Sequence, residues 1–97
     1  MENYKLSSAA SKDIVGIYKF GIKNFGNTQA KRYLNSIESI LSDLTTRKEL
    51  ARDASMFAKD LKYYRFKSHV IFYIFDNSKE IFIIRILGKR MDFIQHL

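Results

Sequence analysis

Apolar residues recur along the first half of the chain with the spacing of an α-helix. Over residues 10–21 they fall at i, i+4, i+7, i+8 and i+11, while the charged residues lie off that stripe, so the pattern predicts a surface helix. Ser7 or Ser8 precedes this segment and can cap its first turn. A second stripe, over residues 30–44, is the strongest periodic signal in the sequence and predicts a second helix.

The two predicted helices are separated by only a few residues. The first helix ends near Asn24, and Gly26 in the following Phe-Gly-Asn break can take the positive φ that stops a helix. Asn27 or Thr28 then caps the second helix. Because the connection is so short, we expect the helices to pack antiparallel as a hairpin.

β-Branched and aromatic residues dominate the chain from residue 62 onwards. Two runs, residues 70–75 and 81–87, are separated by the polar segment DNSKE and predict a β-hairpin. Both faces of these strands are apolar, so the sheet should be covered on two sides. The helix pair can cover only one side, and the cover on the other side is either the C-terminal tail or a second protein.

Together these elements predict an α+β fold of one domain, residues 1–97, in the order β-α-α-β-β-β. A short strand that ends at Leu6 opens the chain. The antiparallel helix hairpin packs on a small, largely antiparallel sheet, and a short tail or helix follows. Residues 45–60 contain good helix formers but a broken apolar pattern, so we interpret them as a loop with one helical turn.

The composition excludes several kinds of chemical site and indicates the charge of a possible partner. The absence of cysteine excludes disulfides, thiolate metal sites and Cys nucleophiles. The sequence has no secretion signal and no run long enough to span a membrane, so we expect a cytoplasmic protein. The net charge is +7, with six basic and four acidic residues in 1–45 and eleven and six in 46–97. This positive net charge favours an acidic partner, either nucleic acid or protein. The alternative is that the surface of a soluble protein is basic without binding such a partner.

The stretch RILGKRMDFIQHL, residues 85–97, contains most of the residues that we consider for a catalytic site. Metal-independent RNA cleavage needs a group such as His96, which can titrate near neutrality, beside cations that hold the phosphate. If residues 90–97 are helical, Lys89 and His96 share a face at i, i+7. Asp92, however, suits an ion pair better than a phosphodiester site, so we favour a surface or capping role for His96. The cations available for a phosphate site are Lys62, Arg65, Arg85, Lys89 and Arg90.

The polar residues in the predicted strands can be explained by structural roles. His69 opens an apolar strand directly after Ser68, a position where a histidine more often has a backbone or hydroxyl partner than a catalytic role. Arg65 and Arg85 either pair with acidic groups such as Asp13 or a partner's carboxylates, or lie solvated at an edge. Aromatic and basic residues interleave in KYYRFK, but strand alternation turns about half of those rings inward. This argues against direct nucleic-acid binding.

Four groups of residues follow one another in a distinctive order. They are Leu6, Ser7, Ala10, Asp13, Ile17 and Tyr18; then Phe25, Gly26, Gln29, Ala30 and Tyr33; then Arg65 with the run SHVIFY from Ser68 to Tyr73; and finally Arg85 to Leu87, Arg90 to Asp92, His96 and Leu97. In residue type and order these groups resemble the ParE branch of the RelE/ParE toxin superfamily over nearly the whole chain. One departure is Gly88, where the family often has histidine.

The resemblance implies one half of a bacterial toxin-antitoxin pair. Members of the ParE branch poison DNA gyrase, whereas members of the RelE branch cleave messenger RNA on the ribosome, and a cognate antitoxin wraps and silences both. The implied function is therefore gyrase inhibition by protein-protein contact, neutralised by a ParD-like antitoxin, with no catalytic residue, metal or cofactor. The alternatives are a RelE-like ribosome-dependent mRNA endoribonuclease and a non-toxic binding relic.

Two sets of site residues accompany this hypothesis. The predicted target-interaction set is Lys89, Arg90, Met91, Asp92 and His96. The predicted antitoxin-binding or structural set is Arg65, His69, Tyr73 and Arg85. We expect the antitoxin to lay an apolar strand or helix against the exposed side of the sheet and the helix pair, with acidic residues opposite the +7 charge.

Overall fold

The computed structural model describes residues 4–76 and 80–97. The described elements, in chain order, are β1 (Tyr4–Leu6), α1 (Ser8–Phe25), α2 (Asn27–Thr46), a 3-10 turn (Lys48–Leu50), β2 (Arg52–Asp53), β3 (Lys62–Phe66), β4 (His69–Phe75), β5 (Ile81–Gly88) and α3 (Phe93–His96). The strands form one sheet in the order β1-β5-β4-β3-β2, in which β1 is parallel to β5 and the other described pairs are antiparallel. The predicted α+β fold is confirmed, with β2 as an addition. The DNSKE turn lies mostly outside the described residues.

Ser7 fixes the start of α1 and ties it to the sheet. Its Oγ accepts a hydrogen bond from the backbone N–H of Ala10 at 2.9 Å, as an N-cap does, and donates one to the carbonyl of Ile84 in β5 at 2.6 Å. Its backbone N–H donates to the carbonyl of Ile83 at 2.9 Å. Of the two predicted caps, Ser7 is therefore the one used.

Gly26 both ends α1 and begins α2. Its φ of 87° is the predicted positive value, its N–H donates to the carbonyl of Ile22 at 3.0 Å, and its carbonyl accepts from Ala30 at 3.1 Å. No side chain caps α2, so the predicted caps Asn27 and Thr28 were wrong, because one residue serves both helix ends. The helices then pack closely: a Cβ added at Gly21 would lie 3.1 Å from the Cβ of Ala30.

The segment predicted as a loop, residues 45–60, has more regular structure than expected. α2 continues to Thr46, and its last turn contributes the buried side chains of Leu44 and Thr45. One 3-10 turn and the two-residue strand β2 follow, and β2 pairs with the start of β3. The remaining loop, residues 54–61, is held by a 2.9 Å hydrogen bond from the N–H of Ala54 to the carbonyl of Leu61, and both side chains are buried.

Each face of the sheet carries its own core. On the first face the helix pair packs against buried residues of β4 and β5, namely Ile71, Tyr73, Ile81, Ile83 and Ile86. On the second face Val70, Phe72 and Leu87 pack with the loop 54–61 and with Phe93 of α3. The ring centroids of Phe72 and Phe93 lie 5.1 Å apart, in edge-on contact. Of the two predicted covers, the chain's own tail thus covers this face in part, together with the loop 54–61.

A β-bulge changes the course of β5. β4 pairs with Ile83 and then with Arg85, so Ile84 between them has no partner in that strand. β1 ends at Leu6, opposite Ile83, and no described strand pairs with the outer edge of β5 beyond that point. Side chains from the start of α1 meet this edge instead. In the part of the chain that the structure describes, no helix is long and apolar enough to cross a membrane.

Candidate functional site

Arg85 lies at the centre of a partly buried polar cluster. Its Nε donates to Oδ2 of Asp13 at 2.8 Å and its Nη2 to Oδ1 at 2.9 Å, a two-pronged ion pair. Its Nη1 donates to the backbone carbonyl of His96 at 3.0 Å. The side chains of Arg85 and Asp13 are only 20% and 13% exposed, and the hydrogen bonds to Asp13 raise the pKa of Arg85. Arg85 is therefore a fixed cation already paired with a carboxylate.

Asp13 also satisfies the backbone of β5. Its Oδ2 accepts from the N–H of Ile86 at 2.9 Å, on the edge that β1 leaves uncovered. The carboxylate thus connects α1 to β5, and Arg85 connects both to α3. Of the alternatives predicted for Arg85, pairing with Asp13 is the one found. Arg65, by contrast, is exposed on β3 and pairs with no acidic side chain in the residues that the structure describes.

His69 lies on the helix-facing side of the sheet with a hydroxyl partner. Its Nδ1 is 2.6 Å from the Tyr33 hydroxyl and 3.3 Å from the Ser68 hydroxyl. Burial lowers the pKa of His69, although the charge of Asp13 acts in the opposite direction. The lowered pKa favours the neutral ring, and Nδ1 shares a hydrogen bond with the Tyr33 hydroxyl. The hydroxyl partner predicted for His69 is thus present.

Tyr73 belongs to the core rather than to a binding surface. Its side chain is buried between the sheet and the helix pair, and its ring packs edge-on against Phe75 at 5.7 Å. Its hydroxyl has no hydrogen-bond partner within residues 4–76 and 80–97. Burial raises the pKa of Tyr73 to about 12. Of the two roles predicted for Tyr73, only the structural one fits this position.

The predicted target-interaction residues follow β5 as one short segment. Lys89 and Arg90 are exposed, and the Met91 sulfur accepts a hydrogen bond from the N–H of Gly88 at 3.2 Å. Asp92 caps α3, since its Oδ1 accepts from Ile94 at 3.1 Å. α3 begins only at Phe93, after a sharp turn at residues 89–91, so residues 90–97 do not form one helix and Lys89 and His96 do not share a helix face.

The cations considered for RNA cleavage do not converge. Lys62 pairs with Tyr73, a residue of the helix-facing core, whereas Arg65 pairs with Val70, a residue of the second face, so their side chains point to opposite sides. Arg85 is bound to Asp13. The rings of Tyr63, Tyr64 and Phe66 pack against the two cores instead of forming an exposed stacking platform. Among residues 4–76 and 80–97, no group of His, Asp and Glu is arranged to hold a metal ion.

The structure contains a site that the sequence analysis missed. A groove of about 850 Å³ lies between the helix pair and the end of β5. Apolar side chains of Ile17, Phe20, Tyr33 and Met91 line it, together with the exposed cations Lys12, Arg32 and Lys67. Phe20 is 63% exposed. The sequence did indicate this groove, because Phe20 and Phe25 are large apolar residues that lie outside the apolar stripe of the first helix.

Lys67 is held in an unfavourable backbone conformation at the edge of this groove. It lies in the turn between β3 and β4 with a φ of 55°, a value that costs a residue with a side chain about 1 kcal/mol. Its ammonium lies 5.6 Å from the ring centroid of Tyr33 and 5.3 Å from that of Phe66, so cation-π attraction offsets part of this cost. The turn thereby fixes a positive charge beside apolar rings.

Comparisons with known proteins agree with this geometry. Residues 4–93 match the sequence profile of the family described as ParE toxin of type II toxin-antitoxin system, parDE. The chain is 26% identical over 97 residues to Toxin ParE from Escherichia coli, covering 100% of this chain and 94% of that one. Its fold is similar to that of a chain from the chromosomal ParDE TA system from P. aeruginosa, with a TM-score of 0.76 at 18% identity, over 91% of this chain and 96% of the other. The resemblance noted from the sequence is confirmed.

Asp13→Asn tests the central ion pair. The amide keeps the shape of the carboxylate but leaves the partly buried guanidinium of Arg85 without a counter-charge. We expect the free energy of unfolding to fall by about 2 to 4 kcal/mol, measured by urea unfolding followed by circular dichroism. Arg65→Met is the control, because it removes an exposed arginine from β3 of the same sheet, and we expect a change within about 0.5 kcal/mol. Equal effects from the two changes would contradict a structural role for the pair.

His69 should make stability depend on pH. Because burial lowers its pKa in the folded chain, the unfolded chain takes up the proton first as the pH falls. The stability that neutral His69 contributes is therefore present above its ordinary pKa of about 6.5 and is lost as the pH falls below it. Urea unfolding from about pH 7.5 to about pH 5 should show a smaller decrease for His69→Gln than for the unchanged chain. An unchanged slope in His69→Gln would rule out this linkage.

Proposed function

Because the chain belongs to the family of ParE toxins of type II toxin-antitoxin systems, we propose that it inhibits DNA gyrase by protein-protein contact and is neutralised by a ParD-like antitoxin. The observation that carries this proposal is the match over residues 4–93, which includes both long helices and every described strand. The family assignment comes from sequence, and the shared fold agrees with it.

The polar groups of the chain support action by contact rather than by catalysis. Cleavage of RNA without a metal needs a group that moves a proton and cations that meet at one phosphate. Here His69 is engaged with Tyr33, Arg85 is paired with Asp13, and Lys62 and Arg65 lie on opposite faces of the sheet. Lys89 and Arg90, which form no ion pair with an acidic side chain in the described residues, are exposed on a short segment suited to contact with another protein.

The groove is the best candidate for the antitoxin site. Its apolar lining and cationic edge match a segment that combines large apolar anchors with acidic residues. In this view buried anchors near Phe20 and Tyr33 supply most of the affinity, and the charges of Lys12, Arg32 and Lys67 mainly speed association. The second face of the sheet offers less room, because the loop 54–61 and α3 already pack on it.

A supercoiling assay tests the target. Purified chain added to DNA gyrase and relaxed plasmid should stop supercoiling or trap cleaved DNA, and an antitoxin added beforehand should prevent both effects. Heat-denatured chain serves as the control. In a parallel assay with ribosomes, we expect messenger RNA to remain intact. The proposal would be overturned if gyrase were unaffected while the RNA was cut.

The Lys67→Gly substitution tests whether the positive charge at the edge of the groove speeds antitoxin association. Glycine adopts the positive φ without cost, so the free energy of unfolding should stay within about 1 kcal/mol despite the lost ring contacts. The rate of antitoxin association should fall several-fold and depend less on salt, measured by stopped-flow fluorescence. Lys59→Ala removes the same charge from an exposed position in the loop 54–61 and should have a smaller effect. Equal losses in the two variants would mean that only net charge matters.

A further inference from the structure

One side of α1 lies outside both the hydrophobic core and the groove, yet it is partly apolar. Val15 and Ile22, two helical turns apart at i and i+7, are 51% and 36% exposed. Tyr18 lies between them on the same side and is partly exposed. None of the three lines the groove or belongs to either core. We name this side the outer face of α1, formed by Val15, Tyr18, Lys19, Ile22 and Lys23.

The charges on the outer face have one sign. Lys19 and Lys23 are exposed one helical turn apart, and neither forms an ion pair with an acidic side chain in the described residues. The sequence has no acidic residue from 14 to 37, a range in which α2 adds two more exposed cations. Asp13, the only carboxylate of α1, is enclosed in its pair with Arg85. The outer face is therefore apolar and cationic without an opposing charge.

These features exclude a second copy of the chain and disfavour another protein. A second copy would bring lysines against lysines and a net charge of +7 to the contact. A specific protein partner covers about 800 Å² on each side. α1 has 18 residues, so its outer face is a strip about 27 Å long and about 10 Å wide, roughly a third of that area.

A surface of anionic lipid suits both the apolar residues and the charges. Helices that lie in the plane of a membrane carry apolar residues on one face, which enter the boundary between headgroups and acyl chains, and lysines beside them. Val15 and Ile22 point in the same direction about 10 Å apart along the axis, so both reach that boundary when α1 lies parallel to the bilayer. The lysine side chains are long enough to extend back to the lipid phosphates.

The fold also prepares α1 for such binding. Ser7 caps the helix and ties it to β5, and Asp13 connects it to the edge of the same strand. The helix is thus formed before it meets a membrane, and no conformational entropy is lost in folding it there. Phe25, 59% exposed, continues the apolar series at the end of α1, where it also lines the groove.

We propose that the outer face of α1 binds the surface of membranes that contain anionic lipid. In this arrangement Val15 and Ile22 lie at the boundary between headgroups and acyl chains, and Lys19 and Lys23 lie among the lipid phosphates. This binding is separate from inhibition of gyrase and does not depend on it. Because the outer face lies outside the groove, its residues are free for the membrane whether or not the groove is occupied.

Tryptophan fluorescence tests the orientation, because the chain contains no tryptophan. In Val15→Trp, vesicles of phosphatidylglycerol and phosphatidylcholine should shift the emission to shorter wavelength, and vesicles of phosphatidylcholine alone should not. Met56→Trp is the matched control, since it replaces an exposed apolar residue in the loop 54–61 without changing the charge. Its emission should stay unchanged with both kinds of vesicle.

Co-sedimentation with the same vesicles measures the affinity. Each basic residue near an anionic surface strengthens binding about fivefold, so Lys19→Ser with Lys23→Ser should weaken it by about tenfold or more. Val15→Ser with Ile22→Ser should weaken it as well, because the apolar contribution is lost. Lys59→Ser with Arg65→Ser removes two charges from exposed positions outside α1 and should have a much smaller effect. The unfolding midpoints of all three variants should stay close to that of the unchanged chain.

Several results would overturn the proposal. Equal losses in the Lys19, Lys23 variant and in the Lys59, Arg65 control would mean that only net charge matters. Equal binding to phosphatidylcholine alone would rule out a role for anionic lipid. Tighter binding to a DNA duplex than to the vesicles, lost in the Lys19, Lys23 variant, would assign the face to nucleic acid instead. If a double variant does not fold, the emission of Val15→Trp decides. A failure to inhibit gyrase would remove the proposed function and leave this inference standing.

Discussion

The rest of the structure depends on one ion pair, between Asp13 of α1 and Arg85 of β5. β1 covers only the first part of the outer edge of β5, and the bulge at Ile84 alters the strand directly beyond it. The carboxylate of Asp13 accepts from the backbone at this edge, and the guanidinium of Arg85 extends the connection to α3. A partly buried ion pair is a weak source of net stability, but it penalises arrangements that leave either charge unpaired. It therefore specifies how the three elements meet.

This constraint separates structural charges from charges available to a partner. Arg85 is paired with Asp13, and His69 is hydrogen-bonded to Tyr33 nearby, so both already have partners within the fold. Exposed cations lie at the groove, among them Lys12, Arg32 and Lys67, and on the segment after β5, where Lys89 and Arg90 follow the strand.

Burial on both sides of the sheet explains how so short a chain holds these surfaces in place. The helix pair packs on one face, and the loop 54–61 with Phe93 packs on the other. Apolar area buried on two faces of a single sheet suits a small domain, which otherwise buries a limited share of its surface. The packing of Phe93 also ties α3 to the second core.

The sequence by itself determined the two helices, the Gly26 break between them and the strands of the hairpin, because periods of 3.6 and 2 residues and a glycine in a short break are local signals. It also indicated the family, through ordered groups such as SHVIFY and RMD, and named Asp13 as a possible partner of Arg85. Only the tertiary structure decided β2, the extent of α2, the cover of the second face and the groove. These features depend on contacts between residues far apart in sequence: Asp13 and Arg85 are 72 positions apart, and the register of the sheet and its bulge bring them together.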